Sequence, residues 1–236
     1  MSRPPALALL AAAALAAGAP GVGRAQRVAE SFAAFDAGGE GGVDHAVRAT
    51  FGLDPAIAVG GGYVAAIPVR VAGVERRLAL HADVATIPGF TSWDLNAGAS
   101  VPLAEGDGPN VLATAAIDLK WARNEVHRAA VFGYGVAARP GWYTPTWFVA
   151  AELGLRHAVG AHLAHSDAYR AQFAGARDGA VALHTVHLDV GAAVGFRIAE
   201  RVLVGLRFAW RFHGTLETYD PYVLPYGGGF EVGARF

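Results

Sequence analysis

The sequence predicts an all-β fold: an antiparallel, up-and-down sheet rolled into a membrane-spanning barrel of about ten strands. Three observations predict it. Hydrophobic residues make up 53% of the 236-residue chain and charged residues only 17%, against about 25% charged in soluble domains. Beyond the N-terminus, charges interrupt every apolar stretch before it reaches the ~20 residues of a spanning helix. Apolar side chains instead recur at every second position, the period of a strand. In lipid every backbone group must be satisfied within the protein, and a closed barrel does this without helices.

The elements follow in order. Arg3, the Ala/Leu run from Ala6 to Ala17, the breakers Gly18 and Pro20, and the small residues of Gly23-Arg24-Ala25 read as an export signal over residues 1–25. Residues 26–42, rich in Ala and Gly, form a periplasmic lead-in, and 43–236 form the barrel. The first hairpin is expected at 43–53 and 56–71. Leu78, Leu80, Ala82 and Val84 then alternate with Arg77, Ala79, His81 and Asp83. Leu95 to Leu103 and Ala113 to Trp121 continue the pattern, followed by 130–139 and by Trp147 to Leu155. Leu188 to Ile198, Val202 to Phe212 and Phe230 to Phe236 complete it. The even count suits a single-chain barrel; eight strands result if the first hairpin lies outside the wall.

Connection lengths agree with alternating sides. Residues 72–75, 104–110, 140–145 and 199–201 are short and rich in turn formers, whereas 157–180 and 214–226 are long. Short turns belong to the periplasmic rim and long loops to the extracellular rim, so the loops 156–181 and 213–226 should face outward. Asp54-Pro55 is an exception, short on the side of the long loops. Trp93, Trp121, Trp142, Trp147 and Trp210 fall near strand ends, where interfacial girdles form.

The final strand resembles the assembly signal of the bacterial outer-membrane β-barrel family, in which alternate hydrophobic residues lead to a terminal aromatic. Phe230, Val232 and Phe236 match it; Ala234 stands where an aromatic is common. The resemblance implies an outer-membrane location, contact with outer-membrane lipid, and recognition by the barrel-assembly machinery.

Candidate chemistry lies on the non-apolar face. Asp83, Asp94, Asp118, Glu152, Asp189 and Glu231 oppose Arg48, Lys120, Arg139, Arg156, Arg197, Arg207, Arg211 and Arg235. A barrel of this strand number is nearly filled by its side chains, and buried charges must pair. A lumen filled by ion pairs is expected; a narrow porin-like channel for small solutes or ions is the alternative. His157, His162, His165, His184 and His187 cluster in sequence, but without HExxH or His-x-His spacing no metal site is expected. For an outer-membrane hydrolase, His81 with Asp83 and His187 with Asp189 would be the groups of a protease, and His184 that of a lipid A-modifying enzyme. Yet same-face i, i+2 side chains stand about 7 Å apart, nothing of the omptin proteases' sequence surrounds them, and His184 on the lipid face has no Ser beside it.

Gly60-Gly61-Gly62 and Gly227-Gly228-Gly229 sit in strands without a following helix, so they read as places of curvature or close packing rather than phosphate cradles. The absence of Cys excludes disulfides and thiol metal sites, and a net charge of −1 argues against nucleic acid. No cofactor and no catalytic activity are expected. The expected role is structural or binding, through extracellular loops toward a ligand the sequence does not identify.

Overall fold

The computed structural model describes Ala34 and residues 43–53, 57–71, 73–88, 91–104, 106–123, 126–173, 175–176, 178–213 and 226–236. The expected export signal, the lead-in apart from Ala34, and 214–225 of the second long loop lie outside the described residues.

Ten strands follow one another: β1 (Asp44–Leu53), β2 (Ile57–Val71), β3 (Val74–Thr86), β4 (Thr91–Pro102), β5 (Gly108–Arg123), β6 (His127–Tyr143), β7 (Trp147–His165), β8 (Gly179–Ala199), β9 (Val202–His213) and β10 (Tyr226–Arg235). One short helix, α1 (Asp167–Gln172), lies between β7 and β8. Each strand pairs antiparallel with its sequence neighbours, and β1 pairs with β10 from Ala46↔Arg235 to Leu53↔Gly228, closing the barrel. The first hairpin is therefore in the wall, which settles the count at ten. At the seam the Phe236 amide donates to the His45 carbonyl at 3.0 Å, and the rings of the same residues stack at 5.9 Å. The expected assembly residues thus sit where the sheet closes.

The chain enters β1 and leaves β10 at one rim, with the connections β2–β3, β4–β5, β6–β7 and β8–β9. These turns are tight. In the β4–β5 turn the Asn110 side chain accepts from the Ala104 and Val111 amides at 2.9 and 2.7 Å. In the β6–β7 turn the Thr144 hydroxyl accepts from the Trp147 amide at 3.0 Å.

Several expected boundaries move. Pro140 lies inside β6, and the turn there is 144–146; β3 begins at Val74 and β5 at Gly108, so those turns are shorter than expected. The largest correction concerns the first long loop. Strand β7 continues to His165 and β8 starts at Gly179, so Arg156 lies within the wall and the loop is 166–178. Ala-rich, His-bearing sequence hid the extension because its alternation is between small and polar residues. A bulge at Val159 also switches the inward parity of β7 from even to odd positions. Such extra residues are tolerated where a strand bends.

Strands β6, β7 and β8 have 17, 19 and 21 residues, well beyond the ~9–11 needed to cross a bilayer. They project past the outer rim as a three-stranded ribbon. Its inner face packs Val131, Leu163 and Leu183 into a buried apolar cluster above the lumen. A second cluster closes the opposite end, where Val64, Leu112, Tyr143, Phe148 and Leu203 converge with Ala34. Tyr143 and Phe148 stack at 5.4 Å, and the Tyr143 hydroxyl donates to the Arg139 carbonyl at 2.8 Å.

The outer face is apolar. Leu95, Ile117, Val136, Leu155 and Leu206 are each about half exposed along it. Trp93, Trp121 and Trp210 mark its extracellular edge, and Trp142 and Trp147 its periplasmic edge, the two-girdle pattern of a membrane barrel. Because closure makes unfolding cooperative, the purified protein should migrate faster unboiled than boiled on SDS gels; identical mobilities would contradict a closed wall.

Candidate functional site in the barrel lumen

Inward positions alternate with the apolar outward ones, and closure packs their charged side chains together. At the periplasmic mouth Asp44 accepts from Arg235 at 2.6 Å and from Arg77, with Arg197 within electrostatic reach. Higher on that side, Arg48 grips Asp83 with two nitrogens, Nε donating to Oδ1 at 2.6 Å, while its Nη1 lies 3.8 Å from the fully buried Glu231. Lys120 pairs with Asp94 at 3.3 Å, and Asn96 donates to the Asp118 carboxylate. On the opposite wall Glu152 joins Arg139, at 3.2 Å, to Arg207. Asp189 joins Arg156, at 2.8 Å, to Arg211, at 3.0 Å.

Register explains which charges meet. Asp94 faces Lys120 and Asp189 faces Arg211 directly across adjacent strands. Arg48, Gly62 and Asp83 form one row over β1, β2 and β3. Gly62 leaves the space through which the guanidinium crosses; a Cβ there would overlap the Asp83 carboxylate and lie 2.8 Å from Arg48 Nε. The sequence signal for this was the glycine run itself, which reads only as curvature without knowledge of the row. Glu152 faces Gly191 on β8, whose row continues to Ala209, and Arg207 reaches the carboxylate from two positions off that row on β9.

The carboxylates of the two His–Asp pairs lie within the ion-pair network. Asp83 is held by Arg48, and Asp189 by Arg156 and Arg211, while His81 and His187 lie buried two residues before them on the same inward faces. The clustered histidines also diverge. His165 and His187 face inward, whereas His162 and His184 are exposed on the outer face and the half-exposed His157 meets the Tyr134 hydroxyl at 3.1 Å. Among the described residues no group of His, Cys, Asp or Glu is placed to hold a metal ion.

A separate polar clamp lies over the ribbon. Ser166 caps α1 by accepting from the Tyr169 amide at 3.3 Å, a role its hydroxyl suits. The rings of His165, Tyr169 and Phe173 stack in series at 4.9 and 4.5 Å. Asp178 ties the loop back, accepting from the His165 amide at 2.8 Å, from the His165 ring at 2.9 Å, and from Arg170. Sequence reasoning missed α1, for which Ser166-Asp167 ahead of an Ala-containing stretch was the available sign.

The fold and its charge-filled interior define a transmembrane β-barrel of bacterial outer-membrane type. No family model matches the chain, and no curated protein matches its sequence. Solved structures similar to it include the translocator domain of the autotransporter NalP from Neisseria meningitidis, at 14% identity and a TM-score of 0.49, covering 97% of each chain. The N-terminal β-barrel domain of Pseudomonas aeruginosa OprF is similar at 13% identity and a TM-score of 0.39, over 82% of this chain and 97% of that one. Ail, the attachment invasion locus protein of Yersinia pestis, is similar at 10% identity and a TM-score of 0.36, over 82% of this chain and 96% of that one.

Two predictions follow from this geometry. Glu152→Ala strips the shared partner from Arg139 and Arg207, and breaking a buried pair from one side costs about 3–5 kcal/mol. The boiling-dependent mobility shift should then occur at clearly lower temperature, and an unchanged midpoint would show that the pair contributes no net stability.

The second concerns Asp178. The His165 amide, then the His165 ring and Arg170, hold its carboxyl below the usual carboxylate range. A depressed folded-state pKa stabilises the loop above the unfolded value, ~3.9, and that support is lost as pH falls through the folded value. A fluorophore on Ala171→Cys should therefore lose anisotropy as pH drops below about 4. With Asp178→Asn added, anisotropy should be low at every pH.

Proposed function

We propose that this chain is a non-conducting outer-membrane barrel whose role is binding, carried by the β6–β8 ribbon and the α1 loop. One observation carries the reading: the lumen is occupied by its own side chains. Asp83, Asp94, Glu152 and Asp189 are each engaged by a cation, and Asp118 by Asn96. Apolar clusters lie beyond these charges at both ends. An ion entering such a lumen would have to displace paired groups in a poorly hydrated space, which is unfavourable by several kcal/mol.

The extracellular side is built for contact instead. The ribbon lifts α1 clear of the wall, and α1 has no buried residue, so its surface is available to a partner. The role is non-enzymatic on the same geometry, since the carboxylates beside His81 and His187 are committed to arginines. During biogenesis Phe230 and Val232 on β10, with Phe236 directly after it, present the outward apolar edge that the assembly machinery would read.

Planar-bilayer recording tests the reading. The wild-type protein should insert without stepwise conductance. Regular conductance steps from folded protein would overturn it in favour of a narrow channel.

A further inference from the structure

The outward face of the barrel carries a basic pair at the extracellular edge that the lumen network does not use. Arg123 ends β5, Arg128 lies at the start of β6, and the two are direct cross-strand partners. Both are exposed. Like charges placed directly opposite destabilise a sheet unless something neutralises them. Among the described residues neither arginine has an acidic partner, and the connecting turn supplies by sequence only Glu125, so the pair keeps net positive charge.

Depth identifies what lies opposite the pair. Trp93 and Trp121 are cross-strand partners on the same outward face, two residues closer to the membrane centre than Thr91 and Arg123. Indole rings settle at the membrane–water interface. Residues two positions further along a strand stand about 7 Å on along its axis, which is ~5 Å of depth on a strand tilted by ~40°, at the level of lipid headgroups.

We propose that Arg123 and Arg128 bind the phosphate of a phosphorylated glycolipid in the outer leaflet, with Trp121 and Trp93 packed against its upper acyl region. Guanidinium groups suit this ligand because they donate paired hydrogen bonds to phosphate oxygens. The site shares β6 with the ribbon of the role proposed above but not the α1 loop, and its lipid assay is read separately from conductance. Each arginine near an anionic lipid surface strengthens association about fivefold, so loss of both should weaken it about 25-fold.

Native mass spectrometry of the folded barrel with diphosphorylated lipid A tests this, with gel mobility confirming that each variant is folded. The R123Q/R128Q variant should retain the lipid about 25-fold less well than wild type. A charge-matched control, R70Q/R201Q at the opposite rim, should bind as wild type does. Dephosphorylated lipid A should not distinguish wild type from R123Q/R128Q. Equal retention by wild type and R123Q/R128Q, or an equal loss in the control, would overturn the proposal. So would displacement of the lipid by inorganic phosphate or by a sulfated polysaccharide, which would make the pair a site for a soluble anion.

Discussion

Hydrocarbon offers no hydrogen bonds to a peptide group, and the rest of this structure depends on that fact. A sheet in lipid must close, because an open edge strands donors and acceptors where nothing can meet them. Here the closing contact is the β1–β10 ladder, continued by the Phe236 amide on the His45 carbonyl. Closure divides every strand into an outward and an inward face. The outward face must be apolar, so polar groups are directed into a space narrow enough that they meet one another.

That space shapes the residue choices inside it. A guanidinium reaching across an intervening strand needs a gap, and Gly62 provides it between Arg48 and Asp83. Where the partners are on adjacent strands, as with Asp189 and Arg211, no gap is needed. Carboxylates shared between cations, Glu152 and Asp189, sit on β7 and β8 in the middle of the long-stranded wall, where each meets two arginines. The interior is therefore a set of local ion-pair clusters, with two carboxylates shared among four arginines on this wall and Arg48 between Asp83 and Glu231 on the other.

Much of this was legible in the sequence, for a physical reason. Alternation reports the oil-facing side chains directly, so Val202 to Phe212 and Leu188 to Ile198 were readable as wall with the correct face outward. The lumen charges were readable as inward by parity alone. Their partners were not, because pairing depends on register, and register between strands such as β7 and β9 passes through β8. The upper halves of β7 and β8 were also hidden. There the outward face leaves the lipid and carries His162 and His184 instead of large apolar residues, so the contrast that marks a strand fades while the strand continues. The Val159 bulge then reverses the parity that would have placed His165 inward.

Why the lumen should be charged at all follows from the same alternation. An interior of closely packed apolar residues would avoid desolvating ions, and replacing buried ion pairs by apolar groups often stabilises a protein. But a strand apolar on both faces has little to hold its register, since a one-residue slip exchanges the faces without exposing anything costly. With Arg48, Glu152 and Asp189 on the inner face, the same slip would drive charge into lipid and separate Arg48 from Asp83. Desolvation of the pairs is thus offset by the exclusion of barrels shifted by one residue. The apolar clusters at the two ends, where slippage is checked by short turns on one side and the capped α1 loop on the other, are the places where the interior can dispense with charge.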